Sequence, residues 1–191
     1  MSATKCLREE HQVILRVLGF FSRALDEASA SGSISHAIFD PFVGFFQGFA
    51  DHCHHCKEES RLFPALQEAG MPGEQGPIAV MLHEHQQGRA LVRHIAANLD
   101  SAERGDEAAK AEVLRAGTAF VSLLSAHIEK EDQVLFNVAD SMLEGEAAGR
   151  LLDGYSEAEN EEGYYETHVS CSRIVRELAS LYEDGSPLRV L

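Results

Sequence analysis

Two short strings in this 191-residue chain place metal-binding, proton-moving side chains at helical spacing: His54-x-x-x-Glu58 and His127-x-x-x-Glu131. At about 100° per residue, positions four apart differ by about 40° and share one face of a helix. An imidazole and a carboxylate one turn apart can grip the same cation or pass a proton. Both strings belong to a longer repeat. Glu10-His11 recurs as Glu84-His85, and His54-x-x-Lys57-Glu58-Glu59-x-x-Leu62-Phe63 recurs as His127-x-x-Lys130-Glu131-Asp132-x-x-Leu135-Phe136, at offsets of 74 and 73 residues. Each half therefore supplies one isolated His and one His-x-x-x-Glu, as two copies of one helical hairpin would.

The neighbours on each helical face say where these groups point. Ala116, Phe120, Leu123, Val134 and Val138 fall within about 40° of His127, which puts the charged Glu131 in the expected core. Val43, Ala50 and Ala65 lie near His54; Leu7, Leu15 and Leu18 share a face with His11, and Ile78, Met81, Val92 and Ala96 with His85. His83 and His94 point away from His85, toward solvent, and His36, His52 and His55 are also expected outside the ligand shell. His55 and Glu59, about 100° from His54 and Glu58, form the rival pair should that helix rotate or bend. Four His and two Glu thus converge, with only Arg61 and Arg89 near enough to balance the acids. Buried carboxylates need a positive partner, and a divalent cation is the natural one. Imidazole and carboxylate donors suit iron, zinc, copper or manganese; two Glu able to bridge, with two His per ion, favour a dinuclear site. A zinc or redox site on Cys53 and Cys56 is the competing reading.

The elements that must position these groups are helices. Alternation of apolar and polar residues is nearly absent, while i, i+3, i+4 spacing recurs almost throughout, so the fold is expected to be all-α. The first helix runs from about Thr4 to Ala30 and breaks near Gly32; the second reaches about Ala69. Ala69 to Pro77, with three Gly and two Pro, cannot continue a helix. Pro77 opens a third helix to about Asp100, and a fourth covers roughly Glu107 to Leu143. After a Gly-containing connection from Gly145 to Gly163, Val169, Ile174, Val175, Leu178 and Leu181 mark a final helix. Short connections predict an up-down four-helix bundle over residues 1–145, with an appended C-terminal fifth helix within 146–191 packed on it, one domain overall. His168 shares a face with Tyr164, Cys171, Val175 and Tyr182 and is expected to face the bundle. Tyr164 or Tyr165 would approach the site only if the last helix closes over one end. Lys57 and Lys130 lie off the ligand face and are expected to snorkel at the surface. Glu157, Glu159, Glu161 and Glu162 read as a solvated helix start.

A formal charge of −15, from 31 acidic and 16 basic residues, argues against phosphate backbones and anionic lipid as partners: no nucleic acid and no membrane surface. No uncharged apolar run approaches about 18 residues, and the first twelve residues carry charge where a signal peptide would be apolar. Four Cys without a regular framework read as thiols of a cytoplasmic protein.

With these residues in place, the sequence resembles the hemerythrin-like (HHE cation-binding) domain proteins, of bacterial type. The likeness runs through Glu10-His11, His54-His55-x-Lys57-Glu58-Glu59-x-x-Leu62-Phe63-Pro64, Gly76-Pro77, Met81-Leu82-x-Glu84-His85-x-x-Gly88-Arg89 and His127-Ile128-x-Lys130-Glu131-x-x-x-Leu135-Phe136, from about Leu7 to Leu143. It implies two iron ions in an oxo- or hydroxo-bridged di-iron centre, with His11, His54, His85 and His127 as terminal ligands and Glu58 and Glu131 as bridges. The resemblance further implies binding of O2 or a related small oxidant for sensing or storage. Its alternatives are an oxidoreductase that decomposes peroxide or reduces nitric oxide, and an iron-responsive protein with a protein partner or homodimer; it names no catalytic residue. In one respect the chain departs from the pattern. Oxygen carriers of the family place two His four apart on the third helix, whereas here His85 is flanked by Met81 and Arg89. A thioether is a poor ligand for ferric iron, which leaves an open or water-filled position.

Overall fold

The computed structural model describes residues 2–160 and 163–183; among them there are helices and no strands. The first rod is α1 (Lys5–Ser31), closed by Gly32 in the left-handed region at φ 67°, where its N–H caps the Ala28 carbonyl. The second rod begins as α2 (His36–Phe45), continues through π-helical turns at Phe46–His55 and Glu58–Leu62, and ends as α3 (Phe63–Glu68). Next comes α4 (Pro77–Glu103), with Pro77 in its first turn, where a missing N–H costs nothing. Asp106 caps α5 (Glu107–Lys130), accepting from the N–H groups of Ala108 and Ala109; such a cap is worth about 1 kcal/mol. A π turn at Glu131–Leu135 joins α5 to α6 (Phe136–Met142) and completes the fourth rod.

The four rods form the expected bundle, and a helix packs on it from the C-terminal side. The connection from Gly145 to Gly163, however, holds a helix of its own, α7 (Glu146–Glu159), before α8 (Tyr164–Tyr182). Buried Leu151, Tyr155 and Ala158 share one face of α7 at helical spacing, and that apolar stripe is what the Gly-rich composition concealed. Glu157 and Glu159 are exposed, but they belong to the last turn of α7 and not to a helix start; Glu161 and Glu162 lie outside the described residues.

Two apolar clusters fill the bundle, one at each end. The larger gathers Ile14, Val17, Phe21, Phe42, Phe46, Val92, Val113 and Phe120, with Cys171, Leu178 and Tyr182 of α8 against it. The smaller holds Leu7, Leu62, Phe63, Ile78, Met81, Leu135 and Phe136, closed by Leu151 and Tyr155 of α7. A layer of buried polar side chains, His11, His54, Glu58, His85, His127 and Glu131, separates them.

The π turns correct the expected faces. Each of two begins at an acid of the repeat, Glu58 or Glu131, and hydrogen-bonds i to i+5, which inserts one residue into the α register. Beyond Glu131 the buried positions are therefore Leu135 and Ala139, while Val134 and Val138, expected inside, are 55% and 38% exposed. Beyond Glu58, Leu62 and Leu66 are buried and Ala65 only half-buried.

Candidate metal centre

The six residues singled out by the repeat meet in this polar layer, all at 2% exposure or less. Their geometry is paired. His11 and His54 bring their Nε2 atoms to 2.9 Å, and His85 and His127 bring theirs to 3.1 Å. Two imidazole nitrogens at that distance can share one proton at most. The two carboxylates tie the pairs together: Glu58 sets Oε1 3.5 Å from His54 Nε2 and Oε2 3.4 Å from His85 Nε2, while Glu131 Oε2 lies 3.2 Å from Nε2 of both His11 and His127. Each acid thus touches one His of each pair, as a bridging carboxylate must.

Behind every imidazole stands a second acid. The Nδ1–H of His11 donates to Asp132 (2.9 Å), that of His54 to Glu10 (2.9 Å), that of His85 to Glu59 (2.7 Å) and that of His127 to Glu84 (3.0 Å). These bonds fix the ring orientation and leave Nε2 as the inward donor, the usual device for a metal-ligating imidazole. Bases hold the acids in turn: Lys57 binds Glu10, Lys130 binds Glu84, Arg89 binds Glu59 (2.7 Å), and Arg8 approaches Asp132 (3.5 Å). The four acids stand at matched repeat positions, Glu10 with Glu84 and Glu59 with Asp132. The repeat displayed them, but the ligand-face criterion passed over them because they approach from the neighbouring helix.

Burial alone would lower the pKa of His11, yet Asp132 and Glu131 overcome it and raise it to about 9; for His85, Glu58 and Glu59 do the same, also to about 9. Burial would raise the Glu131 carboxyl, but His127 and His11 pull it well below the ordinary range. The electrostatics of the layer therefore call for positive charge between the carboxylates. None of the four oxygens of Glu58 and Glu131 has a hydrogen-bond partner. Desolvating a carboxylate costs several kcal/mol; at Glu131 the neighbouring imidazoles offset that cost, and a cation held by these N and O donors would do the same for both acids.

Among the described residues, two groups of side chains bring their donor atoms within 4.8 Å of one another: His11, His54, Glu58 and Glu131, and His55, Glu58, His85 and His127. The second includes His55, against expectation. It is buried, stacked on His85 with ring centroids 3.9 Å apart, and neither of its nitrogens has a hydrogen-bond partner. Burial, then the neighbouring imidazoles of His85, His54 and His127, push its pKa well down. The π-helical path of Phe46–His55 spreads these residues differently from an α-helix, so the wheel angle used to set His55 aside does not apply.

Other expectations also change. Lys57 is not at the surface: its ammonium is fully buried between Glu10 and Glu159 (2.9 Å) and lies 5.6 Å from the Tyr164 ring centroid. Lys130 is half-exposed, as snorkelling requires. His168 is exposed, resting on the rings of Tyr164 and Phe49 and not turned into the bundle. Cys53 and Cys56 enter neither donor group among the described residues. Met81 joins the smaller apolar cluster. His83, His94 and His52 face solvent, and Tyr165 is 73% exposed.

A cavity of about 230 Å³ reaches this layer from one side, lined by Phe46, Ala50, Val92, Phe120 and Leu124 and ending on His55, His85 and His127. Among the described residues no helix is long and apolar enough to cross a membrane. Comparison with protein families matches residues 2–139 to the hemerythrin HHE cation binding domain, covering the four rods through most of α6 and none of α7 or α8. No curated protein and no solved structure matches the chain.

Proposed function

Because the chain belongs to the hemerythrin HHE cation-binding family, we propose that it holds two iron ions and binds O2 or a related small oxidant for sensing or storage. His11 and His54 hold one ion, His85 and His127 the other, with Glu58 and Glu131 between them. One observation carries this reading: two imidazole pairs meet Nε2 to Nε2 at 2.9 and 3.1 Å, and the two carboxylates that touch both pairs have no hydrogen-bond donor. When bound, a pair of irons supplies the electrons and the exchangeable coordination that an oxidant needs. The chain supplies the rest. Glu10, Glu59, Glu84 and Asp132 orient the rings through Nδ1, so that Nε2 is where a proton leaves as a cation arrives. Phe46, Ala50, Val92, Phe120 and Leu124 give the approach an apolar wall, with Gln47, Asp51, Glu84, Arg89 and Arg93 along the rest of it, and leave room for a small molecule.

A second reading, consumption of peroxide or nitric oxide, draws on the cavity, whose volume holds more than one diatomic molecule. Anaerobically purified protein should contain two irons per chain and show a visible band that forms with O2 and fades when O2 is removed. Rapid gas evolution with peroxide, lost in Glu58→Ala and His127→Ala, would select turnover over storage. A single zinc, or no metal, would sink both.

A further inference from the structure

We infer that His55 is a fifth imidazole ligand of the centre, on the ion held by His85 and His127, so that the two metal positions are unequal. The inference rests on the proposed two-metal reading and adds a ligand, and an asymmetry, to it.

Three observations converge on His55. First, it is a buried imidazole with both nitrogens unpartnered, which is costly unless something absent from the protein alone completes it. Its donor atom lies within 4.8 Å of those of Glu58, His85 and His127. Secondly, a carboxylate stands on its Nδ1 side as on that of the other four imidazoles, although too far to accept a hydrogen bond. His55 Nδ1 lies 3.5 Å from Asp51 Oδ1, and Arg89 holds Asp51 through Nε (2.7 Å) while its Nη2 holds Glu59 (2.7 Å), the acid behind His85. One guanidinium thus fixes the carboxylates of two neighbouring rings, and Nε2 of His55 is left as its free donor.

The third observation comes from the repeat. At the offsets that align the two hairpins, His55 corresponds to Ile128, Asp51 to Leu124 and Arg89 to Leu15. Ile128 and Leu124 are buried and Leu15 is half-buried, so apolar residues satisfy packing at all three places in the other half. The polar triad Arg89, Asp51 and His55 is therefore not needed for packing, and it replaces apolar residues together, in one half only.

The test uses the full chain loaded with cobalt(II), whose hyperfine-shifted, exchangeable imidazole N–H resonances count the ligated His. The wild-type protein should show five such resonances and bind two cobalt ions. His55→Ile, which installs the residue of the matching position, should lose one resonance and bind one of the two ions at least about tenfold more weakly. His55→Ala should lose the same resonance and regain both resonance and affinity when free imidazole is added, which a merely structural role would not allow. Helical content and melting of the metal-free variants establish that each is folded. Unchanged resonances and affinity in either folded variant, or weakened binding that imidazole does not restore, would overturn the assignment while leaving the two-metal reading intact. A wild-type chain that binds fewer than two cobalt ions would overturn both.

Discussion

Lys57 and Glu58 are adjacent, fully buried and charged, and they meet burial in opposite ways. The Lys57 ammonium is neutralised inside the protein by Glu10 and Glu159, and despite its burial these carboxylates raise its pKa. Glu58 finds only imidazoles at 3.4–3.5 Å and no donor. The first arrangement is a structural pair, the second an invitation to a cation, and the two should answer mutation differently. Glu58→Gln keeps the shape and removes the charge; the folded variant should carry no more than one metal per chain by elemental analysis, and retention of two ions would take Glu58 out of the site. Lys57→Met leaves the Glu10 carboxylate buried without its ammonium. Breaking such a buried pair should cost about 3 kcal/mol, seen in the metal-free protein as a fall of about 6–12 °C in melting temperature. It should also loosen metal binding about tenfold, since Glu10 orients His54.

At the scale of elements, the sequence displayed the helices of the bundle, their breaks, and the six residues of the polar layer, because each depends on local chemistry or on the repeat. It did not display the π turns, whose one-residue insertions moved Val134 and Val138 outside and Leu135 and Ala139 inside, and brought His55 to the site. An α-helical wheel assumes a constant angle per residue, so every inference drawn across such a turn slips by one position. Nor did it show α7, whose stripe is short and interrupted by Gly149 and Gly154. α8 comes closest to the backbone of the second rod at Gly48, where a Cβ would meet Cys171 Sγ at 2.7 Å and Thr167 Cγ2 at 3.2 Å. Gly48→Val should therefore displace α8 from the second rod. Cys171 reports this directly, since burial raises its pKa and protects the thiol. In the wild-type protein a thiol reagent at neutral pH should label Cys56 before Cys171, and before buried Cys53, whose pKa burial pushes up to about 12. In Gly48→Val, Cys171 should be labelled at least as fast as Cys56; continued protection would show that α8 adapts in place.

In the whole molecule the polar layer cuts the core into two apolar clusters, and every rod of the bundle contributes to all three layers. In the layer, imidazoles and carboxylates face one another away from water: His11 and His85 hold protons more firmly than usual, and the carboxylates of Glu58 and Glu131 have no hydrogen-bond partner. A cation that binds only the folded chain must then stabilise the whole bundle by mass action, by about 2.7 kcal/mol when its free concentration is 100 times its dissociation constant. For a chain of this length that amounts to about 5–11 °C in melting temperature. Melting temperature should accordingly rise with added ferrous iron under anaerobic conditions, fall on chelation, and return on re-addition. The same titration applied to Glu58→Gln should show a smaller rise, because fewer donors are then shared between the ions. The α7–α8 pair should follow, since Glu159 and the Tyr164 ring lie against Lys57, whose partner Glu10 orients His54. Hydrogen exchange in α8 that slows as metal is added would show this link carrying the state of the centre to the surface; exchange there that ignores metal while the bundle rods respond would confine the stabilisation to the four rods.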